Sequence, residues 1–223
     1  MSLIEKIKSK GLRGSLRALR EKFLYRHLEM FMLERQLDLP MPNRPSVEHW
    51  PLERIEYSTL PKMKAHFAHF IPHATRLLEQ SFYGHAHLDK EGNVACMGWI
   101  AERTFYDDYY CCWVPLPEGC IFQFAGEVAK IYQKTGIVML AERLLWKVFS
   151  ERGFKTLRTL IEVDNQPSLA TATRLHFKEI GEIWHLYRLF GRIHFTRIER
   201  YDGLRLSHLR GSDGHRRDAD AAQ

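Results

Sequence analysis

A chain of 223 residues with 45% hydrophobic content is long enough to bury a core as one main domain with extensions. Its net charge of +6 attracts something acidic: a phosphate-bearing cofactor, a nucleotide-linked substrate, an anionic membrane or nucleic acid. No run approaches the roughly 20 apolar residues of a membrane span, and Cys96, Cys111, Cys112 and Cys120, without CxxC pairs or a secretory signal, point to a reduced, cytoplasmic setting.

Residues 1–27 are basic and helix-forming, with Leu12, Leu16, Leu19 and Phe23 at helical spacing. Gly11 and Gly14 split the segment. Three readings stay open: an arm packed on the body, a membrane-surface helix making peripheral contact, or a targeting peptide, whose acid-poor composition Glu5 and Glu21 violate. A strand is expected at Leu28–Leu37, a loop across the proline-rich 40–51 and a second strand at Arg54–Thr59. Met63–Phe82 reads as helix broken at Pro72.

Two strands, Gly84–Leu88 and Val94–Glu102, are joined by the turn signal Glu91-Gly92-Asn93. Another strand lies in Ile121–Tyr132. Residues 136–153 then form the clearest helix, with an apolar stripe of Ile137, Leu140, Ala141, Leu144, Leu145, Val148 and Phe149, and a stop at Gly153. Thr156–Val163 follows as a strand, then a short helix from Ser168, then strands near 183–189 and 193–198. The main domain is expected over 28–205, and the polar stretch 206–223 reads as a disordered tail. Asn165 or Ser168 caps the short helix, whose first turn holds Pro167.

Glu127–Gly181 combines a strand end at Val128, the turn Gln133-Lys134-Thr135-Gly136-Ile137-Val138, an amphipathic helix, a strand ending at Asn165, and a short helix closing on His176-Phe177. In this order the elements resemble the core of the GNAT superfamily of acyl-CoA-dependent N-acetyltransferases. The resemblance implies an α/β (α+β) fold with a mixed central sheet flanked by helices, and acetyl-CoA as co-substrate. It places the coenzyme A pyrophosphate on the unpaired N–H groups at the helix start, where the dipole adds positive charge. Gly136 permits close approach, and Lys134 and Arg143 supplement the field or remain solvated. The resemblance further implies that Asn165 reaches the pantetheine arm, and Ser168 either caps its helix or touches the cofactor. Two positions depart from the family pattern: Val138 replaces a small residue of the turn, and Ala172 stands where many members carry a tyrosine acid.

Acyl transfer from a thioester to an amine needs a base, an oxyanion partner and an acid. By resemblance the oxyanion partner is the Val128 backbone N–H. Glu127, on the opposite strand face from Val128, is the candidate base. Tyr109 and Tyr110 are candidate acids by type, within Phe105–Trp113, where rings with Asp107 and Asp108 suit a sugar, a cationic amine or simply a buried edge. The His66/His69 and His85/His87 spacings lack a third ligand, so no metal is expected.

The leading reading is an N-acetyltransferase acting on a small amine such as an amino sugar or a nucleotide-linked amino sugar. The Asn165-x-x-Ser168 form keeps open a protein N-terminus or lysine as acceptor. Val138 and Ala172 keep open a catalytically weak CoA-binding module. Nucleic acid is not an expected partner, because the basic residues do not interleave with aromatics in a recognised motif.

Overall fold

The computed structural model describes residues 25–40 and 50–206. The remainder of the expected arm (1–24), most of the proline-rich loop (41–49) and the tail beyond 206 lie outside the described residues. Two boundaries are corrected: Tyr25, Arg26 and His27 begin a strand rather than ending a helix, and Leu206 packs on the core.

The strands are β1 (Tyr25–Gln36), β2 (Leu52–Ile55), β3 (Tyr83–Leu88), β4 (Val94–Ala101), β5 (Phe105–Asp107), β6 (Cys112–Val114), β7 (Cys120–Val128), β8 (Thr156–Glu162), β9 (Lys178–Leu189) and β10 (Ile193–Arg200). The helices are α1 (Lys64–Phe67), α2 (Ile71–Glu79), α3 (Ile137–Glu151) and α4 (Gln166–Arg174). Eight strands form one mixed sheet in the order β10-β9-β1-β8-β7-β4-β3-β2, while β5 and β6 form a separate hairpin. The second strand is earlier than expected, because Glu56–Thr59 closes as a turn held by the Thr59 N–H to Glu56 carbonyl bond of 2.9 Å.

Alternation along the strands sorts side chains onto two faces. Phe31 and Leu33 of β1, Ile121 of β7 and Leu157 of β8 meet Leu145, Trp146 and Phe149 of α3 and Leu169 and Ala172 of α4. Ile55, Ala86, Met97 and Trp99 meet Met63, Phe67, Ala74 and Leu77 of the α1–α2 region. The rest of that second face, with Met30, Met32, Phe122 and Trp184, is covered by Phe105, Cys112 and Val114 of the hairpin.

Helix α3 is rotated from the expected stripe. Its buried positions are Ile137, Ala141, Glu142, Leu145, Trp146 and Phe149, while Leu140, Leu144 and Val148 are only half-buried. Trp146 supplies the large apolar surface, stacking under the Arg35 guanidinium at 4.1 Å and meeting Phe177 at 5.9 Å. Its rotation also carries Glu142 into the core. Gly153 ends the segment at φ 90, as its position implied.

Candidate functional site

Strands β7 and β8 are the parallel pair of the sheet, yet they register only over Cys120↔Thr156, Ile121↔Leu157 and Phe122↔Arg158. Beyond Phe122 and Arg158 each strand runs on without the other, to Val128 and Glu162. A bulge accompanies the separation. Three residue steps on β7, Phe124 to Glu127, face two on β4, Trp99 to Met97, and Ala125 adopts the left-handed φ of 49.

The direction of one amide follows from the ladder. Ala129 donates its N–H to the Ala95 carbonyl at 2.9 Å. Because hydrogen-bonded and non-bonded pairs alternate in antiparallel strands, Val128 turns its N–H to the other edge, into the opening left by β8. Helices α3 and α4 follow β7 and β8, so both begin at this same, carboxyl end of the parallel pair, where ligands bind in open α/β sheets.

The start of α3 is built by left-handed backbone at Lys134 (φ 68) and Gly136 (φ 89). The Thr135 hydroxyl donates to the Tyr132 carbonyl at 2.7 Å and accepts weakly from the Ile137 N–H at 3.4 Å. Among the described residues no group accepts from the N–H of Gly136 or Val138. The first turn holds no acidic side chain, so nothing cancels the dipole there. Gln133, Lys134 and Thr135 are exposed, while Val138 packs against the cluster of Trp50, Ala95, Cys96, Ile137 and Ala141.

At α4 the helix begins at Gln166, earlier than expected, and Asn165 rather than Ser168 is the cap: its Oδ1 accepts from the Ser168 N–H at 3.3 Å. That bond leaves the Asn165 amide N–H groups for another acceptor. His176 takes φ 63 and lets the Phe177 N–H close onto the Ala172 carbonyl at 2.9 Å.

On the opposite face of β7 stands Glu127. Val128 packs towards α3, whereas Glu127 meets His69, whose Nε2 is 3.2 Å from each carboxylate oxygen. The sequence paired His69 with His66, but the chain separates them: His66 reaches Asp89 at 3.5 Å. His69 lies in the turn that follows α1, and only the tertiary placement of that turn beside β7 shows that it belongs with Glu127.

Beside this pair lies a cavity of about 180 Å³ lined by Phe70, His73, Phe124, Ala125, Tyr109 and Tyr110, among others. Asp107 is structural in geometry, accepting from the Tyr109 and Tyr110 N–H groups at 2.8 and 2.9 Å, and burial raises its carboxyl above the ordinary value. Asp108 instead accepts from Gln80 at 2.7 Å. The Tyr110 phenol is pushed up by burial and then by Glu162 and Asp107, and so keeps its proton at neutral pH. Tyr109 is 62% exposed. His73, which the sequence did not single out, enters the cavity with its pKa lowered by burial and then by Arg76. The Cys112 thiol is pushed by burial to about 12, which removes it as a nucleophile at neutral pH.

No protein-family model matches the sequence, and no curated protein matches it. Solved structures do match. A Drosophila protein superposes with a TM-score of 0.54 at 11% identity, covering 85% of this chain and 58% of that one. A functionally unknown conserved protein from Staphylococcus epidermidis gives 0.53 at 8% identity, with 79% and 67% covered. The GCN5-related glucosamine N-acetyltransferase region of a fungal multi-domain GH3 β-N-acetylglucosaminidase gives 0.53 at 16% identity, with 81% and 23% covered. The chain has the GNAT fold, and it spans well under two thirds of the Drosophila and fungal chains. Among the described residues no helix is long and apolar enough to cross a membrane.

Proposed function

We propose that the chain is an acyl-CoA-dependent N-acyltransferase that moves an acetyl group from acetyl-CoA to the amine of a small acceptor such as an amino sugar. The observation that carries this reading is the opening between β7 and β8. Unpaired N–H groups at the start of α3 stand at one mouth, and an aromatic cavity stands on the far side of β7.

In this reading the pyrophosphate sits on Gly136 and Val138, and Asn165 donates to the pantetheine arm while capping α4. The acceptor amine attacks the thioester carbon, forming the C–N bond. Negative charge on the carbonyl oxygen is held by the Val128 N–H. Glu127, kept in place by His69, takes the amine proton. The C–S bond then breaks, and Tyr110, protonated and at the cavity wall, supplies the thiolate proton. A cavity of about 180 Å³ favours a small acceptor. A broader groove of about 710 Å³ alongside, lined by Glu102, Tyr106 and Trp113, favours the second reading, an extended acceptor such as a protein N-terminus.

Release of free thiol from acetyl-CoA is the test, measured with amino sugars, nucleotide-linked amino sugars and peptides in parallel. Acceptor-stimulated release is expected with the small amines. Glu127→Gln should bind acetyl-CoA as before and lose roughly 10²- to 10⁴-fold in turnover, with partial recovery at high pH where more amine is neutral. A loss below about threefold at every pH would remove Glu127 from the mechanism. Acetyl-CoA binding without acceptor-stimulated release across the panel would replace the enzyme by a binding module.

A further inference from the structure

On the α3–α4 face of the sheet, near its β10 edge, three potential ligands converge. Glu29 of β1 lies directly across from His185 of β9, and His27, two residues before Glu29, projects from the same face. His27 Nε2 is 3.1 Å from His185 Nδ1 and 3.8 Å from Glu29 Oε1, and His185 Nδ1 is 3.6 Å from that same oxygen. Two ligand atoms held at about 2.0–2.1 Å by a tetrahedral zinc stand roughly 3.3 Å apart, so the three observed separations bracket what such an ion requires.

A second feature points the same way. The other ring nitrogen of His185, Nε2, is 3.2 Å from Glu199 Oε2 on β10. A carboxylate that accepts a hydrogen bond from Nε2–H fixes the tautomer with its lone pair on Nδ1, facing the cluster, which is how ligating histidines are commonly oriented. Glu199 is itself held by Arg205 at 2.8 Å. The His27 ring is stacked on Tyr187 at 4.4 Å with a 1° interplanar angle, which fixes its plane. Across β10, Arg197 is opposite His185 in register and exposed, so its charge remains in water.

We propose that His27, Glu29 and His185 form a divalent transition-metal site, best suited to zinc, with water in the remaining position and Glu199 as a positioning residue. The ion replaces the proton shared by the two ring nitrogens. Its consequence is mechanical: β8 pairs with β1 only from Met30 onward and the Val163 N–H reaches the Glu29 carbonyl at 2.9 Å, so among the described residues the backbone of Tyr25–Leu28 pairs with β9 alone. The metal fastens that overhang to β9 and, through Glu199, to β10.

The test uses the tag-free full chain, stripped with a chelator and titrated with Zn²⁺ by calorimetry and with Co²⁺ by visible absorption. One equivalent is expected, with tetrahedral Co²⁺ bands and slowed amide exchange at residues 25–29. His27→Ala and His185→Ala should each lower affinity by about 100-fold or more, and Glu199→Gln by about 10- to 100-fold. His66→Ala, at the His66–Asp89 pair, should bind as the unaltered chain does. Should His185→Ala not fold, Glu29→Gln at an exposed position gives the same reading. Absence of saturable binding, or unchanged affinity in His27→Ala and Glu29→Gln, would overturn the site.

Discussion

Glu142 is a charge-bearing residue in the middle of an apolar helix face. Burial pushes its carboxyl from 4.5 to about 7, against the lowering effect of the 2.6 Å bond from Gln123 Nε2. An acid whose folded pKa lies above its unfolded value binds its proton more tightly when folded. Its stabilising contribution is therefore complete below pH 4.5 and is lost as pH rises to about 7. At 1.36 kcal/mol per pH unit the gap amounts to about 3 kcal/mol. His85 acts with the opposite sign: burial, then His87, lowers it from 6.5 to about 3, so its contribution is lost as pH falls through that range. Between pH 4.5 and 6.5 the two slopes offset each other. Glu142→Gln keeps an acceptor for Gln123 and removes one slope, so urea unfolding should show it more stable than the unaltered chain by about 3 kcal/mol at pH 8 and nearly equal at pH 4.5. Equal stability at pH 8 would mean that Glu142 is charged in the fold without cost.

Among the elements, α3 bears the greatest demand in the proposed reading, where its first turn leaves donors open while its body closes the core. Gly136 at φ 89 is what joins the two tasks. A valine there meets both a left-handed backbone unsuited to a β-branched residue and the space in which a phosphate would lie. Gly136→Val should lower stability by roughly 1–3 kcal/mol and remove most of the rise in melting temperature that acetyl-CoA gives the unaltered chain. Gly136→Ala separates the two effects, since it carries the backbone strain with little bulk. An undiminished acetyl-CoA shift in Gly136→Val would place the pyrophosphate elsewhere. Helix α4 differs in that one side chain, Asn165, closes the helix through Oδ1, a bond that does not use its amide N–H groups.

At the scale of the whole molecule, the first described strand stands in the interior of the sheet. β1 lies between β8 and β9, antiparallel to both, while β2 stands at the far edge. The C-terminal half of the chain therefore cannot complete its sheet without the N-terminal strand. Phe31, only 3% exposed, packs in the α3–α4 core cluster, so Phe31→Ala should cost about 3–5 kcal/mol in urea unfolding. Deletion through Gln36 should leave a chain without cooperative unfolding. A cooperative transition in that truncated chain would show that β8 and β9 can pair without β1.

The sequence by itself determined what local rules decide. Period and stop signals placed α3 between Gly136 and Gly153, the turn at Glu91-Gly92-Asn93 joined β3 to β4, and Pro167 beside Asn165 and Ser168 marked a helix start to within a turn, while the choice between the two caps was left to the structure. The order of strand, turn, helix and strand from Glu127 onward made the fold legible. The tertiary structure decided what depends on register between distant segments. His69 meets Glu127 across 58 residues, and His27 meets His185 across 158. The buried face of α3 turned towards Glu142 and Trp146 because Arg35 and Phe177 flank Trp146, a contact no periodicity of the helix contains. The place of β1 inside the sheet is of the same kind: hydrophobic alternation says that a strand is buried, but backbone hydrogen bonding carries no side-chain label that names its neighbours.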